Sequence, residues 1–595
     1  MFLHLLVADC IKENTMCTTT VNSTANVVRP HPRRRSCAWI CAGIITAVTF
    51  STAVGGGASP KRRSRVADQG NVGRVRAGDP SSHHPEVTDL SDHRFTHDDG
   101  RGHRAGMSQA CRLDLWQSLT GLWHSEAQWG DFDNDGDLDV VIAGKTGAEL
   151  LVTETYENQG GNLVLFPNPA LVGVRNESSG NLAWGDYDGD GDLDLAIAGE
   201  ADTGYIARVY RNDGLGNLTW DTAQVLTGVV NAALAWADYD NDGDLDLIVT
   251  GHDGENGLSI LYVNEPHGML TPDETTQLTG LYSGSADWAD WDGDGDLDLL
   301  LTGSDGSSCQ VIFCVNDPVG TLTEDGDHGI PGLCLSDAAW GDYDNDGDVD
   351  LALTGNTNYG QYNYARVYEN DGAGNFTQVA EPMHIYRSSC AWGDYDNDGD
   401  LDLGLCGYSG THLYTRVYEN TGIGFVRTFT LVSVREGSVS WVDPDQDGDL
   451  DFFVIGAFWT GWYASLYENT GCNQNSPPSP PTNMGCHPSG TGFVFTWSGA
   501  SDGDTPDDGL YYALRVGTSP GANDVVSGTY GTPLMGNVGQ ATSLWLDLPP
   551  GSYYWSVQTI DSGLMSSSWS DERTCGAYQK FAAPQTEKMP REQNR

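Results

Sequence analysis

The sequence predicts an all-β protein: a seven-bladed β-propeller closed by an N-terminal strand, followed by a C-terminal β-sandwich. Three observations predict it. A nine-residue acidic stretch, first seen as Asp131-Phe132-Asp133-Asn134-Asp135-Gly136-Asp137-Leu138-Asp139, recurs seven times at intervals of 55, 52, 52, 52, 52 and 49 residues. A period near fifty residues is the signature of a propeller or a repeat array. The chain is also rich in glycine (75 of 595 residues) and aromatics, poor in lysine and depleted in helix formers, a composition that suits strands and turns.

In chain order, residues 1–58 read as a leader. Arg33-Arg34-Arg35 precedes a mostly apolar run over 38–54, and the small residues Gly55 to Ala58 follow. This is the build of a secretory signal peptide. The long lead-in makes an uncleaved signal-anchor the alternative, and a start codon placed too far upstream would also account for it. Residues 59–110 mix Arg, His, Asp, Ser and Gly with few apolar residues and read as a disordered linker.

The propeller is expected over 111–473, four strands to a unit. The first strand ends in a tryptophan (Trp129, Trp184, Trp236, Trp288, Trp340, Trp392, Trp441). The second follows the acidic loop and ends in Ala-Gly or Thr-Gly. The third ends in a Tyr-x-Asn-like turn, as in Arg366-Val367-Tyr368-Glu369-Asn370. The fourth follows a Gly-rich turn. The tryptophans, and the aromatics at loop position two (Phe132, Tyr187, Tyr239, Trp291, Tyr343, Tyr395), are expected to pack between blades rather than to stack on sugars.

The loops carry the chemistry. They hold Asp131, Asp133, Asp135, Asp137 and Asp139; Asp186, Asp188, Asp190, Asp192 and Asp194; Asp238, Asp240, Asp242, Asp244 and Asp246; Asp290, Asp292, Asp294, Asp296 and Asp298; Asp342, Asp344, Asp346, Asp348 and Asp350; Asp394, Asp396, Asp398, Asp400 and Asp402; and Asp443, Asp445, Asp447, Asp449 and Asp451. Five like charges in nine residues need a compensating cation. Carboxylate oxygens suit Ca²⁺, and the absence of His and Cys from the loops argues against zinc or copper. Glycine at position six supplies the positive φ that wraps a chain around an ion. An EF-hand needs Glu at position twelve, but Ile142, Ile197, Val249, Leu301, Leu353, Leu405 and Val454 stand there. Each loop is therefore expected to join two strands and to bind one Ca²⁺, up to seven in all. Side chains one, three, five and nine serve as ligands. Position seven contributes its carbonyl, with its own carboxylate turned outward. The last loop departs most, with Pro444 and Gln446 at positions two and four.

The seventh unit stops after its third strand, and its fourth is expected at Leu113–Leu119, ahead of the first loop. Such a strand removes the open edges of the array. It also sets Cys111 beside Cys472, predicting a disulfide clasp in an oxidising compartment. Cys390 and Cys406 face each other across the sixth loop, either bonded or packed. Nine cysteines follow the four of the leader, so at least one is unpaired or pairs between chains.

Residues 474–482 are a Pro-rich, semi-rigid linker. Residues 483–577 alternate as short strands, and Pro549-Pro550-Gly551 before Tyr553 suits a sandwich corner in which the tyrosine hydroxyl ties back to the backbone. Cys486 and Cys575 bracket this domain and would staple its ends. Residues 578–595 are a disordered tail.

The formal charge is −53, which excludes nucleic-acid binding and disfavours anionic membranes. No membrane span is expected unless the leader is an uncleaved anchor. The repeats resemble the FG-GAP/VCBS repeats of the integrin α-chain propeller and its secreted bacterial relatives, most closely at Trp-Gly-Asp-Tyr-Asp-Asn-Asp-Gly-Asp-Val-Asp over 340–350. The resemblance implies a seven-bladed propeller with calcium between the first two strands of a blade. The C-terminal domain resembles a fibronectin type III module. Integrin partner binding is not implied, because the family's ligand loops are not recognisable here.

The function expected is that of a secreted or surface, calcium-stabilised adhesion or recognition module for an extracellular glycan or protein. The alternatives are a lyase-like enzyme acting on polysaccharide and a lectin with repeated sugar pockets. Uniform spacing, and histidines (His124, His252, His267, His328, His384, His412) without an evident acid–base partner, favour binding over catalysis. No catalytic residue is proposed from sequence.

Overall fold

The computed structural model describes residues 111–576 apart from 178–179, 327, 358–361 and 529–535. The leader, the 59–110 linker and the tail lie outside the described residues. What is described is all-β: thirty-four strands and a single 3-10 turn at Asp507–Gly509, with no helix long and apolar enough to cross a membrane.

The third to sixth repeats each form a separate four-stranded antiparallel sheet, and strands of the first, second and last are joined in one twelve-stranded sheet. Typical of the separate sheets are Val230–Ala237, Asp246–His252, Gly257–Val263 and Thr271–Pro272, or Tyr386–Gly393, Asp402–Tyr408, Leu413–Asn420 and Phe425–Val434. Every acidic loop joins the first two strands, and position nine opens the second strand, as in Gly130 opposite Asp139 and Gly393 opposite Asp402. The second strands are almost wholly buried because both their faces lie against neighbouring strands or units.

The first strand, Arg112–Gly130, serves two units. Its beginning pairs with Gly461–Thr470, the last strand of the repeat region, with Arg112 opposite Thr470 and Leu115 opposite Tyr467. Its end pairs with Asp139–Lys145. The strand expected at Leu113–Leu119 therefore adds to the seventh unit. The first strand of each unit packs against the first strand of the next, and Val439–Val442 packs against Arg112–Gly130.

Aromatic packing joins the units. Phe132, Tyr187, Tyr343 and Tyr395 stack on Trp184, Trp236, Trp392 and Trp441 of the following units, with interplanar angles of 27°, 15°, 16° and 10°. Gly185 and Gly393 leave room for the neighbouring indole, which a Cβ would meet at 2.8 Å. These rings are core.

Cys111 and Cys472 are bonded, as are Cys486 and Cys575. Cys309–Cys334 is a third bond that spacing did not reveal. Cys390 and Cys406 are buried free thiols, as is Cys314.

The C-terminal module has two three-stranded sheets, Gly485–Ser489, Gly492–Thr496 and Ser543–Leu546, and Tyr511–Gly517, Ser552–Ile560 and Arg573–Gly576. They share a core of Phe493, Phe495, Trp497, Leu514, Val516 and Trp555. Tyr553 Oη donates to the Pro549 carbonyl at 2.8 Å, the corner expected from the Pro-Pro-Gly turn.

Candidate metal centres

Within each loop the chain folds onto its own carboxylates. At position one, Asp131 accepts the N–H groups of Asp135 and Gly136 at 3.1 and 3.0 Å, and five other loops repeat the pair. The fourth keeps the Gly295 bond. At position five, the aspartate accepts the N–H of position seven in all seven loops. The glycine at position six has φ between 89° and 102°, where a side chain would be strained.

Position four is also left-handed, with φ from 54° to 75° at Asn134, Gly189, Asn241, Gly293, Asn345, Asn397 and Gln446. This explains the alternation of Asn and Gly there, the residues that tolerate this conformation best. The asparagine amides then reach the next loop: Asn134 to Asp192 at 2.7 Å, Asn241 to Asp296 at 2.8 Å and Asn345 to Asp400 at 3.1 Å. Gln446 reaches the Gly136 carbonyl at 2.7 Å and links the last loop to the first. Gly189 has no amide to offer. His267 fills its place, lying 2.9 Å from both Asp244 and the Asp188 carbonyl. The bond to Asp244 raises its pKa to about 9, so this histidine has the acidic partner that sequence did not reveal.

Carboxylates from positions one, three and nine gather in the first, second, third and fifth loops (Asp131, Asp133 and Asp139 in the first). Positions one, three and five (Asp290, Asp292, Asp294) gather in the fourth. In each group, candidate ligand atoms lie within 4.8 Å of one another. Buried carboxylate oxygens without a hydrogen-bond partner remain at position three (Asp133, Asp188, Asp240, Asp396) and at position nine (Asp194, Asp298, Asp451). Burial pushes the position-nine carboxyls up, Asp139 and Asp298 to about 8 and Asp194, Asp350 and Asp451 to about 9, with neighbouring aspartates adding to the shift. Orphaned, closely grouped and purely oxygen donors fit a hard divalent cation such as Ca²⁺. Position five is partly spent on the backbone. Position seven does not simply turn outward: Asp192, Asp296 and Asp400 bind the preceding loop, and Asp137, Asp244 and Asp449 each keep a buried oxygen without a partner.

Seven asparagines at the ends of the third strands fix these loops: Asn158, Asn212, Asn264, Asn316, Asn370, Asn420 and Asn469. Each donates its backbone N–H to the position-nine carboxylate at 2.7 to 2.8 Å. Each also donates its side-chain amide to the position-two carbonyl of the preceding loop at 2.6 to 2.8 Å. Asn158 reaches Pro444 of the last loop in this way. Sequence showed these residues only as turn formers.

The C-terminal module sits on the loops. Gln540 donates to Asp342 at 2.7 Å, Ser562 to Asp394 at 3.0 Å, and Asp342 N–H to Tyr511 Oη at 2.8 Å. Asp547 N–H donates to the Asn241 carbonyl at 2.8 Å. Beneath it lies a cavity of about 470 Å³, lined by first-strand residues such as Glu126, Trp236 and Asp287 and by Val525, Val538 and Leu564 of the module.

Four stretches that overlap in two pairs, 131–197 with 186–249 and 290–353 with 342–405, match the family described as FG-GAP-like repeat. No curated protein matches the chain. Among solved structures, the chain is similar to the rhamnogalacturonan lyase YesW (13% identity, 61% of this chain and 76% of that chain, TM-score 0.36). It is similar to a Bacillus licheniformis rhamnogalacturonan lyase (12%, 61% and 76%, 0.35). It is also similar to the extracellular domain of a one-component system from B. thetaiotaomicron (11%, 77% and 59%, 0.33). At these TM-scores no argument rests on the likeness. Every matched stretch begins on the first aspartate of an acidic loop, and the chain thus carries FG-GAP-like repeats.

Proposed function

We propose that the repeats close into a seven-bladed propeller pinned by up to seven Ca²⁺, and that the protein is a secreted or surface recognition module for an extracellular glycan or protein. The observation that carries this reading is the set of bonds joining the last unit to the first. Asn158 to Pro444, Gln446 to Gly136 and Ser125 N–H to Glu436 repeat across the chain ends the links found between consecutive units. The orphaned loop oxygens support calcium. Three disulfides support an oxidising compartment. The two C-terminal sheets around one core support a fibronectin type III-like sandwich.

The loops act structurally in this reading: their carboxylates hold backbone and ion, and the C-terminal module covers several of them. Calcium counting by equilibrium dialysis, with a glycan array run with and without chelator, tests it. Binding of seven ions with array signals lost on chelation supports it; fewer than three ions sinks the calcium pins. An enzyme acting on polysaccharide is the second reading, favoured by His124 lying 3.9 Å from Glu436 beside three arginines. Chain-length reduction of an acidic polysaccharide by the purified protein would establish it.

A further inference from the structure

The end of the units away from the acidic loops carries a cluster that breaks the repeat. Seven residues before the first loop aspartate, every described unit has a residue in the left-handed region: His124, Asn231, Ser283, Leu335, Arg387 and Glu436, with φ between 46° and 59°. This conformation strains a non-glycine residue. The backbone repeats here and the side chains do not, so these side chains are not dictated by the repeat's own geometry.

Three of them meet. The Glu436 side chain is 2% exposed, is paired with Arg387 and lies 3.2 Å from Arg435. His124 Nδ1 is 3.9 Å from Glu436. His124 is 5% exposed, and that nitrogen has no hydrogen-bond partner. Burial, and then the charges of Arg175, Arg387, Arg435 and Lys145, hold its pKa down to about 3, leaving a neutral imidazole. Residues 111–473 contain only ten Lys and Arg, and these four converge on it. Arg175 bonds Glu200 at 2.5 Å, whereas Glu177 lies 3.9 Å from both Arg175 and Arg387. Aromatic rings flank the charges. Trp123 lies against His124, Arg435 sits over Tyr408, and Trp459, 56% exposed, stands edge-on to Tyr408.

We propose that this cluster binds a carboxylate-bearing saccharide, a hexuronate unit of an acidic polysaccharide. Its carboxylate takes the guanidinium groups of Arg175 and Arg387 in place of Glu177, and neighbouring sugar units lie against Tyr408 and Trp459. Glu177 is a loose partner, since partly exposed pairs at this distance contribute little. A guanidinium–carboxylate fork at bonding distance is stronger and directional. The remainder of the molecule is so acidic that an anion meets repulsion elsewhere.

The proposal rests on the recognition reading, and the test separates the two. The full chain, with calcium, is titrated calorimetrically with a galacturonic-acid oligosaccharide, its methyl ester and a neutral galactan oligosaccharide. The expected result is binding of the acid form, at least tenfold weaker binding of the ester, and at least tenfold loss in Arg175→Gln, with the melting temperature and bound calcium of that variant unchanged. Trp459→Ala is expected to weaken the acid and ester forms alike. Equal affinity for acid and ester, or binding of the neutral oligosaccharide alone, overturns this site and leaves the recognition reading standing. No binding of any of the three overturns this site as well, and a glycan and protein array without signal then removes the recognition reading too.

Discussion

The two ends of the repeat units differ in kind. At the loop end, the same side chains recur from unit to unit and bond the same atoms: position-one aspartate to the turn, position-nine aspartate to the asparagine, asparagine to the preceding loop. At the opposite end, the backbone recurs in the same left-handed conformation, while His124, Asn231, Ser283, Leu335, Arg387 and Glu436 share no chemistry. Uniform side chains report a requirement of the fold. Varied side chains on a uniform backbone report something the fold does not require. Stability is therefore expected to reside at the loop end and recognition at the other.

Calcium removal is expected to break this contrast most severely. An ion held at a hundred times its Kd stabilises by about 2.7 kcal/mol per site. Chelation should therefore lower the melting temperature by about 10 °C or more in differential scanning fluorimetry; an unchanged melting temperature overturns the seven-site picture. pH comes next. In chelator, the raised position-nine carboxyls bind protons in the folded state that the unfolded chain, near 3.8, has released. Stability should then fall as pH rises from about 4 towards 8 or 9, where those groups ionise unpaired. With calcium present the trend should reverse, because protons compete with the ion; the same slope under both conditions would contradict the ligand assignment.

A single staple comes third. Asn264→Ala keeps the backbone bond to Asp246 but removes the side-chain bonds to the Tyr187 and Leu245 carbonyls and from the Met269 N–H, and should cost about 2–4 kcal/mol in urea denaturation. The smallest effect sharpens the contrast from the other side. Trp459→Ala, on an exposed ring, should leave stability within about 0.5 kcal/mol while reducing binding.

Much of the loop end was legible because a period repeated seven times averages away local ambiguity. The strands, the aspartates, the packing tryptophans and the Cys111–Cys472 bond all follow from register. The Asn of Tyr-x-Asn was visible only as a turn residue, since its partners lie 18 to 20 residues back and one unit away. Position four could have been read from its Asn/Gly alternation, which is the pattern of a left-handed residue. His267 could not, because its role exists only through a missing side chain at Gly189. The seating of the C-terminal module on the loops joins residues such as Tyr511 and Asp342 that no local pattern connects, and the Pro-rich stretch at 474–482 reads equally well as a spacer. The charged cluster around His124 was illegible for the same reason: its members come from segments as distant as 124, 175, 387 and 436.

The shared strand Arg112–Gly130 also constrains the order of assembly. Its outer half is among the earliest described residues to be synthesised, and its partner, Gly461–Thr470, is among the last of the repeat region. The ribosome must add some 350 residues before that edge is covered. Until then, a strand edge with exposed Leu115 beside it is free to pair with another chain. For this protein the dangerous species is a chain stalled one strand short, and the Cys111–Cys472 bond marks the moment that danger ends.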